Sequence, residues 1–279
     1  MVVMRRRGPF AALVFALASA LPLRAAPTPI RPWWTVDQFA GRPPAEARIF
    51  ELINNERANA QQAPLRACDE LTAAARQHSE EMLEEGYFAH ESPHAEWHMP
   101  WDRTYRSGFW ERNVAENIVS ARGLTNISDD DLAARFVRDW MNSAEHKAAL
   151  LSPKWAETGV GVATKDGVWY ATQEFGRRWW ATSDLGLTAV DGAWLLTGRA
   201  KLLEPGDPIY IGLDDRILNR VRMDVGQSLN LRVRIPADGS RHKFGLHPTK
   251  GGNAYYVKWL LYLDASRTLD QALVMPPPD

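Results

Sequence analysis

The sequence predicts an α+β domain followed by a smaller all-β domain, and three observations predict it. Helical periodicity marks three stretches, about residues 45–60, 69–85 and from Asp129 to Trp140. It gives way to strand-like alternation at Thr158–Ala163. Beyond Arg177-Arg178-Trp179-Trp180, short runs rich in Val, Leu, Ile and Tyr recur between turn signals.

Each element follows from its residues. Residues 27–43 carry Pro27, Pro29, Pro32, Pro43 and a Trp33-Trp34 pair and read as an extended lead-in. Pro43-Pro44 opens the first helix, where the leading N–H groups lack partners anyway. That helix is predicted over Ala45–Ala60, with Ile49, Leu52, Ile53 and Glu56 on one face. A second is predicted over Asp69–Glu85, with Leu71, Ala74, Ala75, His78 and Met82 at helical spacing, Asp69 as N-cap and Gly86 as C-cap. A third begins at Asp129-Asp130-Asp131, whose charge suits a helix start, and buries Leu132, Phe136, Val137 and Trp140. Thr158–Ala163 and Val168–Phe175 form a hairpin around Lys165-Asp166-Gly167 and close the first domain near Gly176. From residue 186 to 268, turns at Asp191-Gly192, Pro205-Gly206-Asp207, Asp238-Gly239 and Gly251-Gly252 separate short strands in a sandwich-like pattern. Residues 269–279, ending in three prolines and an aspartate, read as a disordered tail.

Composition narrows the function. Apolar residues are 45% and charged residues 24%, a globular balance. Lys+Arg of 33 against Asp+Glu of 34 argues against a nucleic-acid partner, because phosphate binding needs a basic surface. Arg5-Arg6-Arg7, the apolar run Phe10–Ala20 and the small residues Ala18-Ser19-Ala20 read as a secretory signal peptide over residues 1–20. The apolar run is too short to span a bilayer, so a secreted or periplasmic mature chain with no transmembrane segment is expected. The single cysteine, Cys68, has no intrachain partner and reads as a packed side chain.

Seven segments in order resemble the bacterial branch of the CAP superfamily, which includes cysteine-rich secretory proteins, antigen five and pathogenesis-related proteins. They are Leu52–Arg57; His78–Met82; Gly86–His90 with Ser92-Pro93; Arg103 and Gly108; Ala115-Glu116-Asn117-Ile118; Trp140–Ser143 with His146, Leu150-Leu151 and Pro153; and Gly159–Val162 with Thr172–Phe175. The resemblance covers residues 44–176 and implies an α-β-α sandwich with a central cleft. It also implies cleft residues: His90, Glu116, Asn117, His146 and Tyr170. Eukaryotic members line that cleft with two His and two Glu that hold a divalent cation. Here His90 and Glu116 match the first His and one Glu. The second Glu falls near Ser143 and the second His near Tyr170, and neither is kept, while His146 supplies an imidazole nearby.

Read from the residues alone, His90, Glu116 and His146 are a sensible three-ligand set for zinc with one open position. They are equally consistent with imidazoles that bond backbone and cap helix ends, with Ser143 capping the helix that carries His146. His90-Glu91-Ser92-Pro93-His94 spells the HExxH pattern of zinc proteases, but Pro93 opposes the continuous helix that motif needs. His94 and His98 continue the same spacing. Twelve Trp residues include the pairs 33-34 and 179-180 at domain boundaries, where interdomain packing is the expectation and carbohydrate contact the alternative. Three functions follow as expectations. One is a non-enzymatic binding module for a small apolar or amphipathic ligand, such as a lipid, or for a cell-envelope component. The second is a metal-assisted hydrolase using His90, Glu116 and His146. The third is a structural envelope protein.

Overall fold

A computed structural model describes residues 26–206, 208–214, 216–249 and 259–274. The expected signal peptide, the Gly251-Gly252 turn and the last five residues lie outside the described residues. The chain divides into two compact units, one spanning Arg31–Trp179 and the other built on Trp180–Val257 and Leu261–Val274.

A two-residue strand, β1 (Thr28–Pro29), belongs to the second unit. The first unit then runs α1 (Pro43–Asn59), β2 (Arg66–Ala67), α2 (Asp69–Glu85), α3 (Pro100–Arg106), β3 (Val114–Ala121), α4 (Asp129–Asn142), α5 (Ala144–Leu150), β4 (Glu157–Lys165) and β5 (Val168–Gly176). Its sheet has the order β2-β4-β5-β3 and is antiparallel except for the β2–β4 pair. The predicted helices and hairpin form. The cap of α2 is Cys68 rather than Asp69, which becomes the first helical residue, and Gly86 closes the helix in the left-handed conformation at φ 74°. Ser128 caps α4 by accepting from the Asp131 N–H at 3.1 Å. Short α3 and strand β3 carry no clear period in the sequence.

Alternation along β4 sorts the layers. Val160 and Val162 enter one core with Ile49 and Ile53 of α1 and with Phe136 and Trp140 of α4. Gly159 and Gly161 face the other way, against the backbone of α2. A Cβ on Gly161 would stand 2.1 Å from the Arg76 nitrogen, inside the helix main chain. Gly161→Ala is therefore expected to cost about 1–3 kcal/mol by overpacking, measured by urea denaturation. A loss below about 0.5 kcal/mol, the usual scatter of surface changes, would mean that α2 does not lie on this strand.

The lead-in is not simply extended. Residues Val36–Gln38 make a 3-10 turn, and Trp33 and Trp34 donate their N–H groups to the Arg106 carbonyl at 2.9 and 3.3 Å. The Arg106 guanidinium lies over the rings of Trp33, Trp34 and Trp97 at 5.5, 5.6 and 5.1 Å, so this Trp pair is stapled to its own unit by cation–π contacts.

The second unit is all-β. Its strands are β6 (Trp180–Val190), β7 (Ala193–Leu202), β8 (Ile209–Leu213), β9 (Arg216–Val221), β10 (Ser228–Pro236), β11 (Arg241–Pro248) and β12 (Trp259–Asp264). They form two four-stranded sheets, β1-β6-β7-β10 and β12-β11-β8-β9. Strand β10 alternates strictly, burying Leu229, Leu231, Val233 and Ile235. The expected tail is ordered over residues 269–274. Leu269–Gln271 forms a 3-10 turn, Val274 donates to the Tyr262 carbonyl at 2.9 Å, and Ala272, Leu273 and Val274 are buried. Their apolar side chains outweigh the polar and proline signals on either side.

Candidate functional site

The site is assembled by three breaks in regular structure. Gly86 ends α2 and sends residues 87–94 back across the sheet. Helix α3 brings Arg103 beneath that loop. The β3–β5 ladder sets Glu116 directly opposite Glu174.

His90 is 47% exposed, and its Nδ1 lies 2.7 Å from Oε1 of fully buried Glu116. Arg103, also fully buried, donates to the other Glu116 oxygen at 2.7 Å and to the His90 carbonyl at 2.9 Å. Burial works to raise the Glu116 pKa, but the Arg103 charge and the bond from His90 outweigh it and hold the carboxyl at about 2. An ionised carboxylate cannot donate, so Nδ1 of His90 carries the hydrogen of this bond. Neither oxygen of Glu174 takes a donor from elsewhere in the protein. Burial, and then the neighbouring Glu116 charge, push Glu174 well above the carboxylate range, so it stays protonated and bonds the Glu116 carboxylate. Buried His78 lies 3.8 Å from Glu116, bonds the Ala89 carbonyl at 2.9 Å and is held neutral by burial, with its pKa at about 4.

The other expected cleft residues are placed as follows. Asn117 is buried and donates its side-chain amide to the His146 carbonyl at 3.2 Å. Ser143 caps α5 by accepting from the His146 N–H at 3.5 Å. Burial lowers the His146 pKa, and the nearby His90 imidazole lowers it further. Tyr170 is buried, accepts from Arg122 at 3.4 Å and stands 5.9 Å from the Phe88 ring, which is 49% exposed. His90 and Glu116 thus meet directly, and His146 approaches them without joining the same hydrogen-bonded group.

These residues, as arranged, do not fit a three-ligand zinc centre. The ligand atoms of His90, Glu116 and His146 do not all lie within 4.8 Å of one another, and Glu116 is engaged by His90 at one oxygen and by Arg103 at the other. Among the described residues, one group of three ligand-type side chains has its atoms within 4.8 Å of one another: Glu81, Glu85 and His94. Glu81 already accepts from Gln77 at 2.5 Å, Tyr87 at 2.9 Å, Trp97 at 2.9 Å and the Ser92 hydroxyl. Those four donors fill a carboxylate's acceptor sites, and the other two members, Glu85 and His94, bond each other at 2.6 Å.

Residues 90–94 contain no helix, and the two His of the HExxH pattern diverge: His90 goes to Glu116 and His94 to Glu85. Cys68 is buried beside Arg178 and Glu70, and burial pushes its thiol up to about 12, far from a nucleophilic thiolate. Sequence reasoning missed Glu174 and the role of Arg103. A Glu in a strand whose residues are otherwise uncharged, Val168–Phe175, was the available signal, but its partner depends on a register that only the folded sheet sets.

The sequence model of the cysteine-rich secretory protein family (CAP) matches residues 50–175. This segment is a CAP domain. Among curated proteins, the uncharacterized protein YkwD of Bacillus subtilis (strain 168) is 32% identical over 130 residues, covering 47% of this chain and 46% of that protein. The uncharacterized membrane protein YlbC of the same organism is 33% identical over 135 residues, covering 48% of this chain and 35% of that protein. The chain therefore spans less than half the length of either relative. Among solved structures, an extracellular protein containing a SCP domain from Bacillus anthracis str. Ames is 29% identical, with a TM-score of 0.41, and the match covers 48% of this chain and 40% of that one. The family match, residues 50–175, contains every cleft residue described above.

Proposed function

We propose that this is an exported CAP-domain protein whose cleft binds a small amphipathic ligand, such as a lipid or a cell-envelope component, without transforming it. The observation that carries this reading is the juxtaposition of Phe88 and His90. Phe88 is one of four large apolar side chains left exposed among the described residues, and it lies against Tyr170 two positions before the half-exposed imidazole. An apolar surface beside a pre-oriented polar group suits a ligand with an apolar body and a hydrogen-bonding head. The network behind His90 is closed on itself and holds the imidazole in one orientation, which favours recognition. The basic start, apolar run and small residues before Leu21 support export, and no described helix is long and apolar enough to cross a membrane.

Native mass spectrometry of protein recovered from an exporting host tests this. A lipid-sized adduct is expected on the wild type, with occupancy reduced about tenfold in Phe88→Ala, the equivalent of losing roughly 1.4 kcal/mol of apolar burial. A wild type with no adduct that instead hydrolyses an ester or amide, and loses that activity in His90→Ala, would replace this reading with an enzymatic one.

A further inference from the structure

His242, near the start of β11 in the second unit, is buried, and both of its ring nitrogens meet a carboxylate. Nδ1 lies 3.0 Å from Oδ2 of Asp214, in the turn between β8 and β9. Nε2 lies 3.1 Å from Oδ1 of Asp238, in the turn between β10 and β11. An ionised carboxylate only accepts, so both contacts are hydrogen bonds only while both nitrogens carry a proton and the ring is an imidazolium. A neutral imidazole has one N–H, and the lone pair of its other nitrogen would face a carboxylate oxygen at the same distance.

The two carboxylates are also fixed by bonds of their own. Asp214 accepts the Lys243 N–H on Oδ1 at 2.9 Å and donates its own N–H to the Lys243 carbonyl at 2.7 Å. Asp238 accepts from the Ser240 N–H at 2.9 Å and from the Ser240 hydroxyl at 2.5 Å, and these bonds hold its carboxyl at about 2. Strand alternation turns the neighbouring Arg241 and Lys243 to the other face of β11. Asp264, at the end of β12, is taken by Arg241 and Arg267, each at 3.4 Å. Asp214 and Asp238 are therefore the charges that His242 meets. Burial works to lower its pKa, but the bonds to these two carboxylates outweigh it and raise the value.

We propose that this trio is a pH-operated clasp: the His242 imidazolium ties the β10–β11 turn to the β8–β9 turn, and its deprotonation releases Asp238 from the ring. Asp238 is the partner released because the Ser240 hydroxyl stands 3.3 Å from Nε2 and can turn from Asp238 to donate to the bare nitrogen, while the Nδ1 hydrogen keeps Asp214. Gly239, at φ 80°, gives the freed turn room to move. A raised folded value means that the clasp is closed, and its contribution to stability complete, below about pH 6.5, the ordinary value for histidine. It is lost as pH climbs through the folded value. No residue of the His90 cleft takes part.

The test is heteronuclear NMR of the full chain from pH 5 to 9, following the His242 ring nitrogens and the Gly239 and Ser240 amides. The ring is expected to titrate with a midpoint above about 6.5, and the two turn amides to shift with the same midpoint. Asp238→Asn, at an exposed turn position, should lower the ring midpoint by about one unit, the low end of what an adjacent opposite charge supplies. His242→Gln should leave the two amides flat across the range. A wild-type midpoint at or below about 6.5 would overturn the proposal. So would turn amides that do not follow the ring, or an unchanged midpoint in Asp238→Asn.

Discussion

Arg103→Ala is expected to remove about 3–5 kcal/mol from the stability of the CAP domain, the usual cost of breaking a buried ion pair by deleting one partner. The guanidinium does three things that no neighbour can take over. It balances the buried Glu116 charge at 2.7 Å, it holds the His90 carbonyl at 2.9 Å, and it bonds the His98 and Trp97 carbonyls at 3.1 and 3.3 Å. Alanine would leave the buried Glu116 carboxylate without its cation and the His90 and Trp97 carbonyls without this donor, while the His98 carbonyl keeps only the Ser92 N–H at 2.8 Å. Domains of this size are stable by about 5–15 kcal/mol, so the loss is a large share of the total. Arg103→Lys should fall between the two, because one ammonium keeps the charge but cannot span Glu116 and the loop carbonyls together. Chemical denaturation at neutral pH decides the matter. A loss under about 1 kcal/mol for Arg103→Ala, within the range of a surface ion pair, would show that Glu116 is solvated and that the network behind His90 is absent.

Glu174→Gln is expected to stabilise the protein at neutral pH, by an amount that grows with pH. Glu174 is protonated in the folded state, where burial and then the Glu116 charge raise its pKa well above the normal range. In the unfolded chain it titrates near the ordinary value of about 4.3. A raised folded value means that its contribution is fully present below about pH 4.3 and is lost as pH climbs toward the folded value. Across that window the folded state holds one proton more than the unfolded state, so stability falls by about 1.4 kcal/mol per pH unit. Glu116 has the opposite sign. Its folded value of about 2 lies below the unfolded one, so its contribution is present above the ordinary carboxylate range and is lost only as pH falls toward 2. Glutamine keeps the shape of the protonated acid, can donate to Glu116 and takes up no proton. Melting curves of both proteins between pH 5 and 8 should therefore diverge with rising pH. Parallel curves, or a variant that is less stable throughout, would place the proton elsewhere.

Much of the architecture was legible because it depends on neighbours close in the chain. The prolines at 43 and 44 start α1, Gly86 stops α2, and Asp129–Asp131 open α4. Pro93 ruled out a helix through His90 and His94, and none forms. Strand β3 was not legible, although it carries Glu116. Its residues Val114–Ala121 mix polar and apolar side chains without strict alternation, because one face meets the buried polar network instead of an apolar core. The tail failed for the reverse reason: three apolar residues, Ala272–Val274, were enough to dock a segment whose composition read as loop.

The sequence by itself determined helices α1, α2 and α4, the β4–β5 hairpin and the division into an α+β and an all-β part, and its resemblance to the CAP superfamily pointed to His90 and Glu116. These rest on periodicity, caps, turn residues and motif spacing, all of which act over a few residues. Only the tertiary structure decided what surrounds that pair. The meeting of Glu116 with Glu174 follows from a strand register, and that of Glu116 with Arg103 from a short helix beneath a loop. Each is a contact between segments far apart in the chain, set by the joint packing of α2, β4 and β5, so no local pattern of residues encodes it.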